Sequence, residues 1–252
     1  MTKRKASYKR STSRNRKDAE IEDIPEIVTR NTIDRSFEIN AKYKLTPTHK
    51  SFTELCFNSS TNIAFVDGPA GTAKTYCAAY TALHMLKSHR VDEVVYIRSI
   101  IESASKSMGS LPGEVDDKFL PWTLPLQEKL SELISPSTIT TLFDTNTVKA
   151  VPVNYVRGLT FKDSVVIVDE AQNLTRSELI TILTRFGEDS KMIVIGDTLQ
   201  SDINGRSGFE EIFNTFDDKE SEENGVFCFK FTHDDIMRSE MLKFIVKKLG
   251  EK

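Results

Sequence analysis

The stretch from Asn62 to Ser88 constrains the fold more than any other, because a short apolar strand, a glycine-bearing turn and a helix follow one another without a gap. Ile63, Ala64, Phe65 and Val66 suit a buried parallel strand. Gly68-Pro69-Ala70-Gly71-Thr72-Ala73-Lys74-Thr75 comes directly after it. A helix is predicted from Tyr76 onward, with Cys77, Tyr80, Leu83, Met85 and Leu86 as its apolar contacts. In this layout backbone N–H groups and the positive end of the helix dipole face an anion, and small residues let a phosphate approach. The spacing assigns Lys74 to the β and γ phosphates and the Thr75 hydroxyl to Mg²⁺, so Gly68 through Tyr76 is the expected nucleotide-binding segment. Ala73 stands where a glycine is usual. Its methyl group is tolerated if the backbone there is helical and clashes if the site needs φ > 0.

The second anchor is Val165-Val166-Ile167-Val168-Asp169-Glu170, an apolar strand with two acids at its tip. Phosphoryl transfer to water needs that division of labour, Asp169 holding the Mg²⁺ shell and Glu170 orienting and deprotonating the water. After it, Thr175-Arg176-Ser177-Glu178 forms a capping box, Leu179, Ile180, Ile182, Leu183 and Phe186 an apolar face, and Gly187 the expected helix end. Met192 to Ile195 is the next strand, with Gly196, Asp197 and Gln200 at its end, where a polar group can meet the γ phosphate or its water.

Other elements read less sharply. Phe52, Leu55, Cys56 and Phe57 lie at helical spacing behind Pro47. Val94 to Ile97 reads as a strand that ends in Arg98, either a contact to phosphate or nucleic acid or a surface arginine. Residues 103–147 form a helical insertion whose helix is expected to begin after Pro121 and Pro125. Pro152 marks Val148 to Val156 as an edge or bent strand. Residues 217–225 read as an acidic loop, Val226 to Phe231 as a strand, and Asp235-Ile236-Met237-Arg238 as the start of a final helix.

Composition separates the N-terminus from the rest. Of the 34 basic residues, eight lie in residues 1–17 with no acid among them, leaving 26 against 37 acidic groups, a net of −11. Residues 1–28 are therefore expected to be a disordered basic arm. Through Lys3, Arg4, Lys5 and Arg10 it would bind phosphate backbones by releasing counterions, or else merely solvate the chain. No apolar run approaches the length that spans a bilayer, and no apolar segment follows the first basic residues, so a cytoplasmic protein is expected. Three scattered cysteines, Cys56, Cys77 and Cys228, argue against a disulfide framework or a cysteine metal site.

In order, these motifs, together with Leu111-Pro112-Gly113-Glu114, Lys118, Pro121, Tyr155-Val156-Arg157-Gly158, Asp169-Glu170-Ala171-Gln172-Asn173, Leu183-Thr184-Arg185 and Ser207-Gly208, resemble the PhoH-like family of phosphate-starvation-inducible ATPases. The form is similar to those carried by tailed bacteriophages, which would place the chain in a host cytoplasm. The resemblance implies an α/β P-loop NTPase over residues 29–252, with a RecA-like parallel sheet flanked by helices, like the first motor domain of superfamily-one helicases. It further implies ATP and Mg²⁺ as cofactors, RNA or single-stranded DNA as partner, and a ring-like oligomer, expected to be a hexamer. Arg98 and Arg157 join the arm as expected nucleic-acid contacts. Arg185 and Arg238 are candidates for a transition-state arginine supplied in trans, and His49 stands where the family presents a glutamine to adenine. A nucleotide-gated clamp on nucleic acid or protein is the alternative function, with a small-molecule kinase ranked below it.

Overall fold

The computed structural model describes residues 35–99, 115–200, 207–237 and 240–250. The basic arm, the Leu111–Glu114 motif and Arg238 lie outside them. β1 (Ile63–Asp67), β2 (Glu93–Arg98), β3 (Val148–Pro152), β4 (Ser164–Asp169), β5 (Lys191–Gly196) and β6 (Val226–Lys230) form one parallel sheet in the order β3-β2-β4-β5-β1-β6. The helices are α1 (Pro47–Phe57), α2 (Lys74–Lys87), α3 (Val115–Ser131), α4 (Pro136–Asp144), α5 (Arg176–Leu183), α6 (Phe209–Phe216), α7 (Lys219–Glu223) and α8 (Glu240–Gly250).

Strand alternation divides the apolar residues between two cores. Val94, Tyr96, Val165, Ile167 and Ile193 point to one face, where α1, α2, α3 and α4 supply Phe52, Leu83, Leu86, Leu126 and Leu142. Val95, Ile97, Val166, Val168 and Val194 point to the other, covered by Leu179, Ile182, Phe209 and Phe213 of α5 and α6. Burial on both faces explains why these strands read as continuous apolar runs. Pro152 ends β3, which is an edge strand as expected, so its missing N–H costs the ladder nothing. Residues 35–45 run over the surface. Arg35 donates to the carbonyls of Leu86 (3.2 Å) and Val91 (2.8 Å), and the Asn40 amide to Leu133 O (2.7 Å).

Several boundaries differ from expectation, each for a local reason. α3 begins at Val115 and runs through both prolines. A helix-interior proline costs about 3 kcal/mol, but burying Leu126, Leu130 and Leu133 gains about 1.5–3 kcal/mol for each residue. α3 is accordingly packed into the main core. α5 has the expected capping box, Thr175 with Glu178, but stops at Leu183 with Thr184 as cap, so Arg185 is not helical. The acidic loop contains α7, started by Asp218 accepting from the Ser221 amide at 2.8 Å. Asp235 belongs to a 3-10 turn, His233–Asp235, and the last helix starts only at Glu240. α6 was not expected at all.

Candidate functional site

All strands being parallel, the ends of β1, β2, β4 and β5 meet at one edge, and the register sets Arg98 beside Asp169 and Asp67 beside Gly196. A cavity of ≈ 370 Å³ opens there, within the range of small-molecule sites. The loop from Ala70 to Tyr76 lines it together with Arg98, Asp169, Glu170, Asp197 and Gln200.

The loop is fixed from behind. Gly71 takes φ 87°, a left-handed turn that glycine makes without cost. A Cβ on Gly68 would lie 2.7 Å from Phe231 Cβ, so only glycine fits against β6's exit. The Pro69 carbonyl accepts from Thr72 Oγ1 (2.9 Å), Gly71's from the Met237 amide (3.0 Å) and Thr72's from His49 Nε2 (3.0 Å). Ala73 sits at φ 54°, ψ 26°. The site therefore does need φ > 0, and the alanine carries the strain.

His49 does not line the cavity. It has no exposed surface, its Nε2 donates to a carbonyl that can only accept, and its Nδ1 takes the Thr46 hydroxyl at 2.5 Å. With its ring 5.1 Å from that of Phe231, it braces the loop against α1. The spacing of His49 relative to the loop was legible, but its burial was not.

Lys74 Nζ donates to the Gly68 (2.5 Å) and Pro69 (3.0 Å) carbonyls. Burial pushes its ammonium down, opposed by Asp197, Asp169 and Glu170. Thr75 Oγ1 donates to Asp169 Oδ1 at 3.0 Å, and Tyr96 Oη to Asp169 Oδ2 at 2.6 Å. Burial first, then Asp169, pushes the Tyr96 phenol up, so it stays a donor. Glu170 adopts φ 54°, a strained conformation for a residue with a side chain. Its Oε2 accepts from Gln172 Nε2 at 2.6 Å, and its Oε1 lies 3.7 Å from Arg98 Nη2. Gln172 Oε1 in turn accepts from the Asp197 amide at 3.1 Å. Burial pushes the Asp197 carboxyl up, against the pull of Lys74, and its buried Oδ2 has no partner among the described residues.

Two hard oxygens 3.0 Å apart, Thr75 Oγ1 and Asp169 Oδ1, suit magnesium, which keeps waters and phosphate oxygens as its other ligands. Among the described residues no group of three or more His, Cys, Asp or Glu could hold a metal by itself.

Of the other candidates, Arg157 is exposed beyond β3, and Arg185 does not line the cavity. Three residues were missed by sequence reasoning: Tyr96, Gln172 as the link between Glu170 and Asp197, and Asp67, whose carboxylate accepts from the Thr198 amide and hydroxyl at 3.0 Å each. The available signals were Tyr96 itself, a hydroxyl inside a buried apolar strand, and the place of Gln172 in the Asp169-Glu170-Ala171-Gln172-Asn173 motif.

A phosphate loop between β1 and α2, faced by an acid on β4 with β5 lying between the two strands, defines a P-loop NTPase fold of the α/β class. A family model described as PhoH-like protein matches residues 44–249, and the chain belongs to that family. It is 37% identical over 189 residues to a PhoH-like protein of Synechocystis sp., covering 74% of this chain and 56% of that one. To Protein PhoH of Escherichia coli it is 32% identical over 186 residues, 72% of this chain and 51% of that one. The chain thus spans about half the length of these relatives. Pif1 helicase from Candida albicans superposes with a TM-score of 0.38 at 13% identity, over 75% of this chain and 40% of that one. Among the described residues no helix is long and apolar enough to cross a membrane.

Proposed function

We propose that the protein hydrolyses ATP with Mg²⁺ and couples this to binding or unwinding RNA or single-stranded DNA as a homo-oligomeric ring. The observation that carries the catalytic half is the Thr75 to Asp169 hydrogen bond of 3.0 Å, which brings the loop and the acidic pair, 94 residues apart, to one point beside Lys74 and Glu170. Lys74 exchanges the Gly68 and Pro69 carbonyls for β and γ phosphate oxygens. Thr75 and Asp169 would hold Mg²⁺, which supplies positive charge to the phosphates. Glu170 orients a water and takes its proton, and Gln200 reaches the same cavity from the end of β5.

The nucleic-acid half is supported by the eight cations of the arm. It is also supported by two exposed side chains beyond the end of β3, Arg157 and Tyr155, the latter 66% exposed.

The test is ATP turnover with and without RNA or single-stranded DNA, alongside mass in solution. Glu170→Gln is expected to bind Mg-ATP yet lose about 10²-fold or more in turnover. Normal turnover in that variant would remove Glu170 as the base, and unchanged salt dependence of nucleic-acid binding after deletion of residues 1–17 would remove the arm.

A further inference from the structure

β2 carries neither the loop nor the acids, yet two of its side chains reach the acids of β4. Tyr96 bonds Asp169, and Arg98, two residues along and so on the same side of the strand, faces Glu170. Glu170 is held on both oxygens, at 2.6 Å by Gln172 and at 3.7 Å by Arg98. The two contacts differ in strength. Gln172 is buried and anchored to the Asp197 amide, whereas the side chains of Arg98 and Glu170 are 28% and 38% exposed. A contact of 3.7 Å between partly exposed ions is weak, although Arg98 is also drawn to Tyr96 and Asp169. Arg98 lines the cavity next to Lys74 and Asp169, and a guanidinium fork matches phosphoryl oxygens better than it matches one carboxylate oxygen at that distance.

We propose that Arg98 is a γ-phosphate ligand acting within its own subunit, resting on Glu170 in the free protein and transferring to the terminal phosphoryl group when a nucleoside triphosphate fills the cavity. The inference rests on the reading of Glu170 as general base. Transfer frees Glu170 Oε1 to accept a hydrogen bond from water, while Gln172 keeps the carboxylate in place through Oε2. The water oxygen then attacks the γ phosphorus, and its proton passes to Glu170 Oε1. The β,γ-bridging P–O bond breaks with its electron pair leaving on the nucleoside diphosphate, and Arg98 pairs with the phosphoryl oxygens. Glu170 afterwards loses the proton to solvent. A diphosphate offers Arg98 no such group, so the guanidinium returns to Glu170 and the site distinguishes triphosphate from product. This assigns to the same chain a charge that Arg185, outside the cavity, does not deliver in the single subunit.

The experiment compares Arg98→Ala and Arg98→Lys with the parent for affinity toward ADP and a non-hydrolysable ATP analogue, each with Mg²⁺, and for single-turnover hydrolysis. Arg98→Ala is expected to weaken the triphosphate analogue about tenfold or more, leave ADP within about twofold, and lower hydrolysis about 10²-fold or more. Arg98→Lys should recover part of the affinity and little of the rate, because it lacks the fork. A mixture of Arg98→Ala with Lys74→Ala should stay inactive even where subunits exchange, since neither pocket is complete. The proposal is overturned if Arg98→Ala keeps the triphosphate preference, if its turnover is unchanged or rises, if the mixture regains activity, or if nucleic-acid affinity alone falls. Because only folded protein binds, the ratio of the two affinities remains readable in a less stable variant. Failure of the underlying reading looks different: wild type that binds neither nucleotide, or Glu170→Gln that turns over normally.

Discussion

The Tyr96 hydroxyl donates to Asp169 Oδ2 at 2.6 Å, on the opposite oxygen from the one that Thr75 reaches. Asp169 is only 5% exposed, so these donors stand in for water around its carboxylate. Tyr96→Phe keeps the ring packing and removes one donor, leaving a buried carboxylate oxygen short of a partner. Stability in urea should fall by about 1–3 kcal/mol, with Mg²⁺-dependent nucleotide binding weakened as well. A variant as stable as the parent would show that the bond has no net worth.

Ala73 at φ 54° carries a penalty of about 1–2 kcal/mol that glycine would not. Glycine also adds about 0.4–1 kcal/mol of unfolded-state entropy, so Ala73→Gly should stabilise by about 0.5–1 kcal/mol. The urea midpoint reads this directly, and a lower midpoint would contradict the strained assignment.

His49→Ala removes the donor to the Thr72 carbonyl and a ring packed on Phe231. The unpaired carbonyl alone should cost about 1–3 kcal/mol, and nucleotide affinity should drop for ATP and GTP in the same proportion. A shift in the ratio of ATP to GTP affinity would return His49 to base recognition.

Lys191 opens β5 almost fully buried, donating to the Asn58 carbonyl at 3.0 Å and to the Thr61 carbonyl. Burial lowers its ammonium to about 8. Below that value the ammonium is charged in both states and its burial cost is complete. Between there and an unfolded value of about 10.4, the unfolded chain holds the extra proton, so stability gains with rising pH. Lys191→Met lacks this proton. The unfolding free energy of wild type minus that of the variant should therefore rise from pH 8 to pH 10, and parallel pH profiles would rule out the depressed ammonium.

Local patterns in the sequence determined the strand, loop and helix around Lys74, the acids after β4, the capping box of Thr175 and Glu178, and the proline-bearing edge strand. Each depends on hydrogen bonds and side-chain periods within about a dozen residues, which is the range over which neighbouring residue types constrain the backbone. Where those signals conflicted, as with Pro121 and Pro125 inside α3, burial of the neighbouring Leu126 and Leu130 against a core built from distant segments decided the outcome. Only the tertiary structure placed β5 between β1 and β4, set Arg98 level with Asp169, and so brought Tyr96 and Arg98 of β2 onto the two acids. It also turned His49 inward. Those contacts follow from strand order and register between segments about 70 residues apart, and no local spacing encodes which strand lies beside which.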